Sequence, residues 1–342
     1  MNTEGAFQNV KVQSTHQRIE WIDVAKGLGI IAVVLGHFYP RNTTFYESLY
    51  WWHMPLFFMI GGFFVKPTTL PTLRDYLRRR FWPMFKQYFG YGVGLILLNF
   101  VVEQRTPAFT LDYLWRLVYG GTELNGYLSV FWFMTVYAFS SLLFSLLRGY
   151  MPKVWQEAVL MAGLFWLGFS YPNAEAALGF PIPGNLDLVL VALPYMFVGW
   201  WLFHYARQIV TKPWFMVVAV GLFTVLFTAQ SRGQIDFLLY MKSHHLTDPL
   251  LAGWAPVIIC GGLFAGAKIV SGTFAGNWLD RIGRSTLPIM YGHKAVGYVL
   301  EKFGDPNILV LVIAGVTIPL FLAYAGRCVR ERWQGGGLYA FN

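Results

Sequence analysis

The chain is short of charge. Of its 342 residues only 13% are Asp, Glu, Lys or Arg, against roughly 25% in a soluble globular domain. With 56% hydrophobic and 18% aromatic residues, that shortage excludes a water-soluble fold. Cysteine is scarce too. Cys260 falls inside an apolar run and Cys328 at the end of another, too few and too poorly placed for a disulfide framework or a metal site, so no metal is expected. Residues 1–17 are polar, and the first apolar run carries charged residues and no small-residue cleavage site. No cleavable signal peptide is therefore expected, and the first span serves as its own insertion signal.

What the chain has instead is a series of apolar runs near twenty residues long, the length that crosses a bilayer as a helix. Ten spans are expected, at about 22–39, 45–64, 81–102, 127–147, 155–171, 186–203, 213–230, 250–270, 285–302 and 305–326. The fold class is all-α, a polytopic membrane helix bundle. Short cytoplasmic loops collect Lys and Arg, and most of the 26 basic residues fall on one face when both termini are cytoplasmic. The net charge of +9 is thus a topology signal, and nucleic-acid binding is not needed to explain it. The expected organisation is a polar tail over 1–17, one membrane domain over 18–330 and a cytoplasmic tail over 331–342. Three longer loops, near 103–126, 171–186 and 231–249, are placed outside. Their carboxylates and aromatics suit sugar binding, or simply a polar loop at an aromatic membrane interface. His244 and His245, on the last of these loops, are read as solvent-facing.

Inside the first span stand Lys26 and His37, eleven residues apart with only uncharged residues between them. Charged groups in lipid are costly unless they face protein, water or a ligand. Eleven residues at helical pitch advance the chain ~16 Å and return to nearly the same face, which suits a substrate that runs along the helix. Asp23 lies at i−3 from Lys26, where it either pairs with the lysine or orients it. His37, His53 and His293 each have a bland reading as hydrogen-bonded histidines between helices. The cluster Arg78, Arg79 and Arg80 is equally a topology determinant or an anion site.

Six ordered stretches carry a resemblance: Asp23-Val-Ala-Lys26-Gly-Leu-Gly-Ile with His37; Trp52-His53-Met-Pro-Leu-Phe-Phe-Met-Ile-Gly-Gly-Phe-Phe; Arg78-Arg-Arg80-Phe-Trp-Pro83; Phe131-Trp132-Phe133; Asp187-Leu-Val-Leu-Val-Ala-Leu-Pro-Tyr-Met-Phe-Val-Gly199; and Ile282-Gly-Arg-Ser-Thr-Leu-Pro-Ile-Met-Tyr-Gly-His293. On these the chain resembles the acyltransferase 3 family of integral membrane acyltransferases, within its fucose 4-O-acetylase-like branch. The resemblance implies ten core spans in a bacterial cytoplasmic membrane. It also implies transfer of acetyl from cytoplasmic acetyl-coenzyme A, as co-substrate, to a hydroxyl of a cell-surface or lipid-linked sugar such as an exopolysaccharide or O-antigen. His37 is then the general base, or the carrier of an acetyl-histidine intermediate, with Asp23 as a second catalytic candidate. Lys26, Arg78, Arg79 and Arg80 are the candidates for coenzyme A, and His53, Trp132 and His293 for the acceptor.

The chain departs from the wider family. Its arginines are contiguous where many members space them as Arg-x-x-Arg, and the middle-span Trp-Ser-Leu with a following glutamate is replaced by Phe131-Trp-Phe-Met-Thr-Val-Tyr137, so there is no obvious second acid. A polytopic transporter or flippase of a lipid-linked sugar would share the composition. A polysaccharide polymerase would be expected to carry arginine-rich outer loops, and here Arg41, Arg105, Arg116 and Arg232 are sparse.

Overall fold

The computed structural model describes residues 18–336; the expected tail over 1–17 and the end of that over 331–342 lie outside the described residues. The fold is a helical bundle whose strands, among the described residues, are one two-residue hairpin, β1 (Leu239–Tyr240) against β2 (His245–Leu246). The helices are α1 (Glu20–Phe38), α2 (Thr44–Tyr50), α3 (His53–Phe63), α4 (Leu70–Val102), α5 (Pro107–Tyr119), α6 (Trp132–Tyr150), α7 (Val154–Gly168), α8 (Ala174–Leu178), α9 (Val189–Trp201), α10 (Pro213–Ser231), α11 (Pro249–Val270), α12 (Phe274–Gly283), α13 (Thr286–Glu301) and α14 (Ile308–Gly336).

Local chemistry sets many of these boundaries. Thr43, Thr106, Asp248 and Thr273 each accept a hydrogen bond from a backbone N–H in the first turn of the helix they precede, and Pro107, Pro213 and Pro249 open their helices where a missing N–H costs nothing.

Seven helical stretches among the described residues are long and apolar enough to cross a membrane. The other three expected spans differ in form. The segment expected at 45–64 is broken into α2 and α3 at Trp51 and Trp52, just ahead of Pro55, which cannot continue a helix from upstream. Those expected at 155–171 and 285–302 are the shorter α7 and α13. The expected cytoplasmic loop before residue 81 is helical: α4 begins at Leu70 and passes a wide π-helical turn over Leu77–Phe81 that contains all three arginines. A second π-helical turn, Leu202–Ala206, extends α9. The expected last span runs on past 326 as α14, into what was read as a tail.

The core lies around α1, α6 and α9, whereas α4, α10 and α14 expose most of their apolar surface, as lipid-facing helices do. Two crossings are unusually close. On α1 and α12, Gly27 faces the Leu279 carbonyl and Gly283 faces the Asp23 carbonyl; on α3 and α9, Gly62 faces the Met196 carbonyl and Gly199 the Met59 carbonyl. A Cβ at any of the four would collide with backbone. Small residues let backbones meet in this way where lipid supplies no hydrophobic drive. The helix α12 was read as a cytoplasmic loop; it is amphipathic, with Phe274 and Trp278 exposed and Asp280 buried and paired to Arg284 at 2.6 Å.

Candidate functional site

Helix α1 carries different chemistry at its two ends. At its start Asp23, 4% exposed, accepts from Arg18 at 2.6 Å and from Lys26 at 2.7 Å. At its other end His37 lines a narrow cavity of about 60 Å³ with Ile30 and Val33 of α1, Met54 and Phe57 of α3, Val130, Trp132 and Phe133 at the head of α6, and Thr286, Leu287 and Met290 of α13. Fourteen residues of helix, ~21 Å, separate Asp23 from His37. The structure thus engages Asp23 in an ion-pair cluster away from the histidine, and Lys26 in the same cluster.

His37 meets His293 of α13, their rings stacked at 5.0 Å. The His293 ring is fully buried; its Nδ1 hydrogen-bonds the Ile289 carbonyl at 2.9 Å, and its Nε2 has no partner among the described residues. A buried polar atom left unpaired costs about 1–3 kcal/mol, and the usual reasons for retaining one are function or an absent ligand. His53 joins the group through Tyr50, whose ring packs edge-on against it at 4.7 Å while the Tyr50 hydroxyl donates to the Gly36 carbonyl at 3.4 Å. The structure therefore gathers His37, His293, Trp132 and His53 at one end of the bundle.

A second cavity, about 250 Å³, is lined by Gly61, Val65, Lys66, Thr68, Tyr76, Arg80, Met84, Tyr137 and Ser141. All three arginines are exposed, and only Arg80 lines it. The two cavities share helix faces. On α3, Met54 and Phe57 line the first, and Gly61, with Val65 just beyond the helix, lines the second, residues at i, i+3, i+7 and i+11 on one stripe. On α6, Phe133 lines the first and Tyr137 and Ser141 the second, at i, i+4 and i+8. An aromatic partition divides them: Phe133 lies 6.1 Å from Phe57 and 5.5 Å from Tyr137, ring to ring. A Cβ at Gly61 would stand 2.6 Å from the Tyr137 ring, so any larger residue there must displace it.

The sequence reading missed three features of the far end. Lys242 donates to the Leu124 carbonyl at 2.6 Å; burial first, then the charges of Lys294 and Arg41, push its ammonium down to about 8. Lys294, beside His293, lies over the rings of Tyr298 and Phe38 at 5.0 and 5.9 Å. His244 is not solvent-facing. It is 4% exposed, its Nδ1 is 2.8 Å from Asp187 and its Nε2 2.8 Å from the Gly168 carbonyl, so it ties three segments together beside a polar pocket of about 200 Å³. Two adjacent histidines in a polar loop look solvated until the fold brings Asp187 to one of them. Among the described residues no group of three or more metal-ligating side chains converges.

A family model described as an acyltransferase domain matches residues 19–326, from the residue ahead of α1 into α14. No curated protein and no solved structure matches the chain. With a match that runs through α1, both cavities and α13, this integral membrane chain belongs to the acyltransferase 3 family, whose members are acyltransferases.

Proposed function

We propose that the protein transfers an acetyl group from cytoplasmic acetyl-coenzyme A to a hydroxyl of a cell-surface or lipid-linked sugar, with His37 as the general base. The observation that carries this reading is the shared track of α3 and α6. One end of it meets Lys66 and Arg80, cations suited to the phosphates of coenzyme A, and the other meets His37. The track runs from Met54 to Gly61 on α3 and from Phe133 to Ser141 on α6, seven and eight residues of helix or ~11–12 Å, so a long thin donor bound at Arg80 would present its thioester near the histidine. The His37 cavity holds roughly two waters at ~30 Å³ each. Seating the thioester end therefore requires the Phe133 and Tyr137 rings to turn aside.

In the reaction the acceptor hydroxyl gives its proton to the neutral imidazole of His37 as its oxygen attacks the thioester carbonyl. A carbon–oxygen bond forms, the carbon–sulfur bond breaks, and the thiolate of coenzyme A takes up the proton. Histidine suits this work because its unperturbed pKa lies near neutrality. The stacked His293 holds the His37 ring in place and offers its free Nε2 to the incoming groups. Asp23 and Lys26 support α1 from its other end. The transporter reading has no observation in its favour, since the family is one of acyltransferases.

The test is transfer of radiolabel from acetyl-coenzyme A to a glycan in membranes containing the chain. Label in an alkali-labile ester on a glycan supports the reading. No transfer, together with no binding of coenzyme A by the purified protein, overturns it.

A further inference from the structure

At the His37 end three cations stand without a carboxylate partner. Lys294 follows His293 on α13 and lies over Phe38, the residue after His37, and over Tyr298. Lys242 reaches the same place from the opposite side. Its ammonium is fixed on the Leu124 carbonyl, and Tyr127, three residues on, packs its ring 5.1 Å from the same Tyr298. Arg41 stands four residues beyond His37, in the turn between α1 and α2. None of the three enters an ion pair among the described residues.

The nearby carboxylates are engaged elsewhere. Glu103 binds Lys302 at 2.7 Å and the Tyr127 hydroxyl at 3.1 Å. Glu47 accepts from Gln230, Asp187 is held by His244, and Asp248 caps α11. Glu301, two turns beyond Lys294 on α13, is exposed and reaches Lys294 only through its charge, and Glu175 lines a pocket with Lys242 without an ion pair to it among the described residues. Two half-buried ammonium groups and a guanidinium that repel one another, with no carboxylate in ion-pair contact among the described residues, are costly at a membrane interface. Next to Lys294 in the chain, the fully buried His293 has an Nε2 without a partner among the described residues. A cationic mouth and an unsatisfied imidazole at one place describe a site that is complete only with an anion present.

We propose that the acceptor is an anionic sugar: a carboxylate or phosphate on the acceptor glycan binds between Lys242, Lys294 and Arg41 while a neighbouring hydroxyl reaches His37. The proposal rests on the acyl-transfer reading above and names the class of acceptor that this end of the protein takes. The bound anion fixes the register of the sugar, and the same cations stabilise the oxyanion that develops on the thioester carbonyl during attack.

The experiment labels the native glycans of the source membranes with acetyl from acetyl-coenzyme A and measures the charge of the labelled product by anion exchange, before and after mild acid that cleaves glycosyl phosphates. Retention that survives acid identifies a carboxylate on the glycan; retention lost with acid identifies a phosphate linkage; both support the proposal. Kinetics give an independent readout. Lys294→Met is expected to raise the apparent KM for acceptor at least tenfold and leave that for acetyl-coenzyme A unchanged, with Lys294→Arg restoring most of the loss. A labelled product that is neutral from the outset overturns the anionic acceptor and leaves the acyltransferase intact, as does an unchanged acceptor KM in both Lys242→Met and Lys294→Met. Absence of label with the intact chain removes the acyl-transfer reading itself, and the anionic acceptor with it.

Discussion

His37, Gly61 and Lys242 each make a separate demand on the account. Removing a general base typically costs 10²–10⁴-fold in rate, so His37→Ala is expected to lower kcat by at least about 100-fold while acetyl-coenzyme A still binds, as equilibrium binding to purified protein would report. Gly61 faces Tyr137 where the two cavities meet. Gly61→Val is expected to press that ring into the track, raising the KM for acetyl-coenzyme A and slowing transfer, with thermal stability in detergent as the control for folding. For Lys242 the sign follows from its depressed pKa, about 8 against an ordinary 10.5. Below about 8 it is charged in folded and unfolded chains alike, so its binding charge is present. Between the two values the folded protein holds fewer protons, so this group makes stability rise with pH while the binding charge is being lost. The groups that bear on it are Lys294, Arg41 and His37, with Glu175, Asp187 and His244 lining the adjoining pocket. Acceptor KM is therefore expected to climb as pH passes 8 without any loss of fold, and Lys242→Arg to flatten that climb; a climb unchanged in the arginine variant would assign it to another group.

At the scale of elements, close helix crossings hold the site in place. The α1–α12 crossing at Gly27 and Gly283 fixes the end of α1 that carries Asp23 and Lys26, and the α3–α9 crossing at Gly62 and Gly199 fixes the helix that carries Phe57 and Gly61. Overpacking costs about 1–3 kcal/mol even where side chains can shift, and backbone cannot shift as side chains do. Gly283→Val is accordingly expected to lower the melting temperature in detergent clearly more than a substitution at Gly163, where nothing lies within 4 Å of an added Cβ. A second support is the pair of Arg148 and Glu157 between α6 and α7. Glu157 is fully buried, 2.9 Å from the guanidinium, which also lies 3.7 Å over the Trp200 ring. Removing one partner of such a pair typically costs 3–5 kcal/mol, so Glu157→Ala should destabilise severely, whereas a variant as stable as the parent would make the pair dispensable.

The sequence reading recovered some of these elements and not others, for physical reasons. Apolar runs are strong signals, so the helical class and most helix positions were legible. The break before Pro55 was not, because hydropathy is blind to the missing N–H of proline; nor were the π-helical turns, which leave no mark in composition. The motifs containing His37 and His293 stand out in the sequence, but only the fold stacks the two rings. Lys242 and Lys294 drew no reading from the sequence, since their convergence depends on Leu124, Tyr127 and Tyr298 being brought together. For Asp23 and Lys26 the sequence offers pairing at i, i+3 beside catalytic and coenzyme-binding roles; the structure shows the pairing, with Arg18 joining it.

At the scale of the whole molecule, Lys66 and Arg80 lie at one end of the α3–α6 track and His37 at the other, with α4, α10 and α14 exposing most of their apolar surface. On the proposed reading, donor is taken from one side of the membrane and acceptor is served on the other. The most direct measurement is transfer in sealed vesicles of known orientation, with labelled acetyl-coenzyme A supplied on the cytoplasmic face alone and His37→Ala run alongside at matched protein level. The account expects acetyl ester on glycan at the opposite face with the intact chain and its loss in the variant; label that stays on the donor side, or that crosses undiminished without His37, would contradict it.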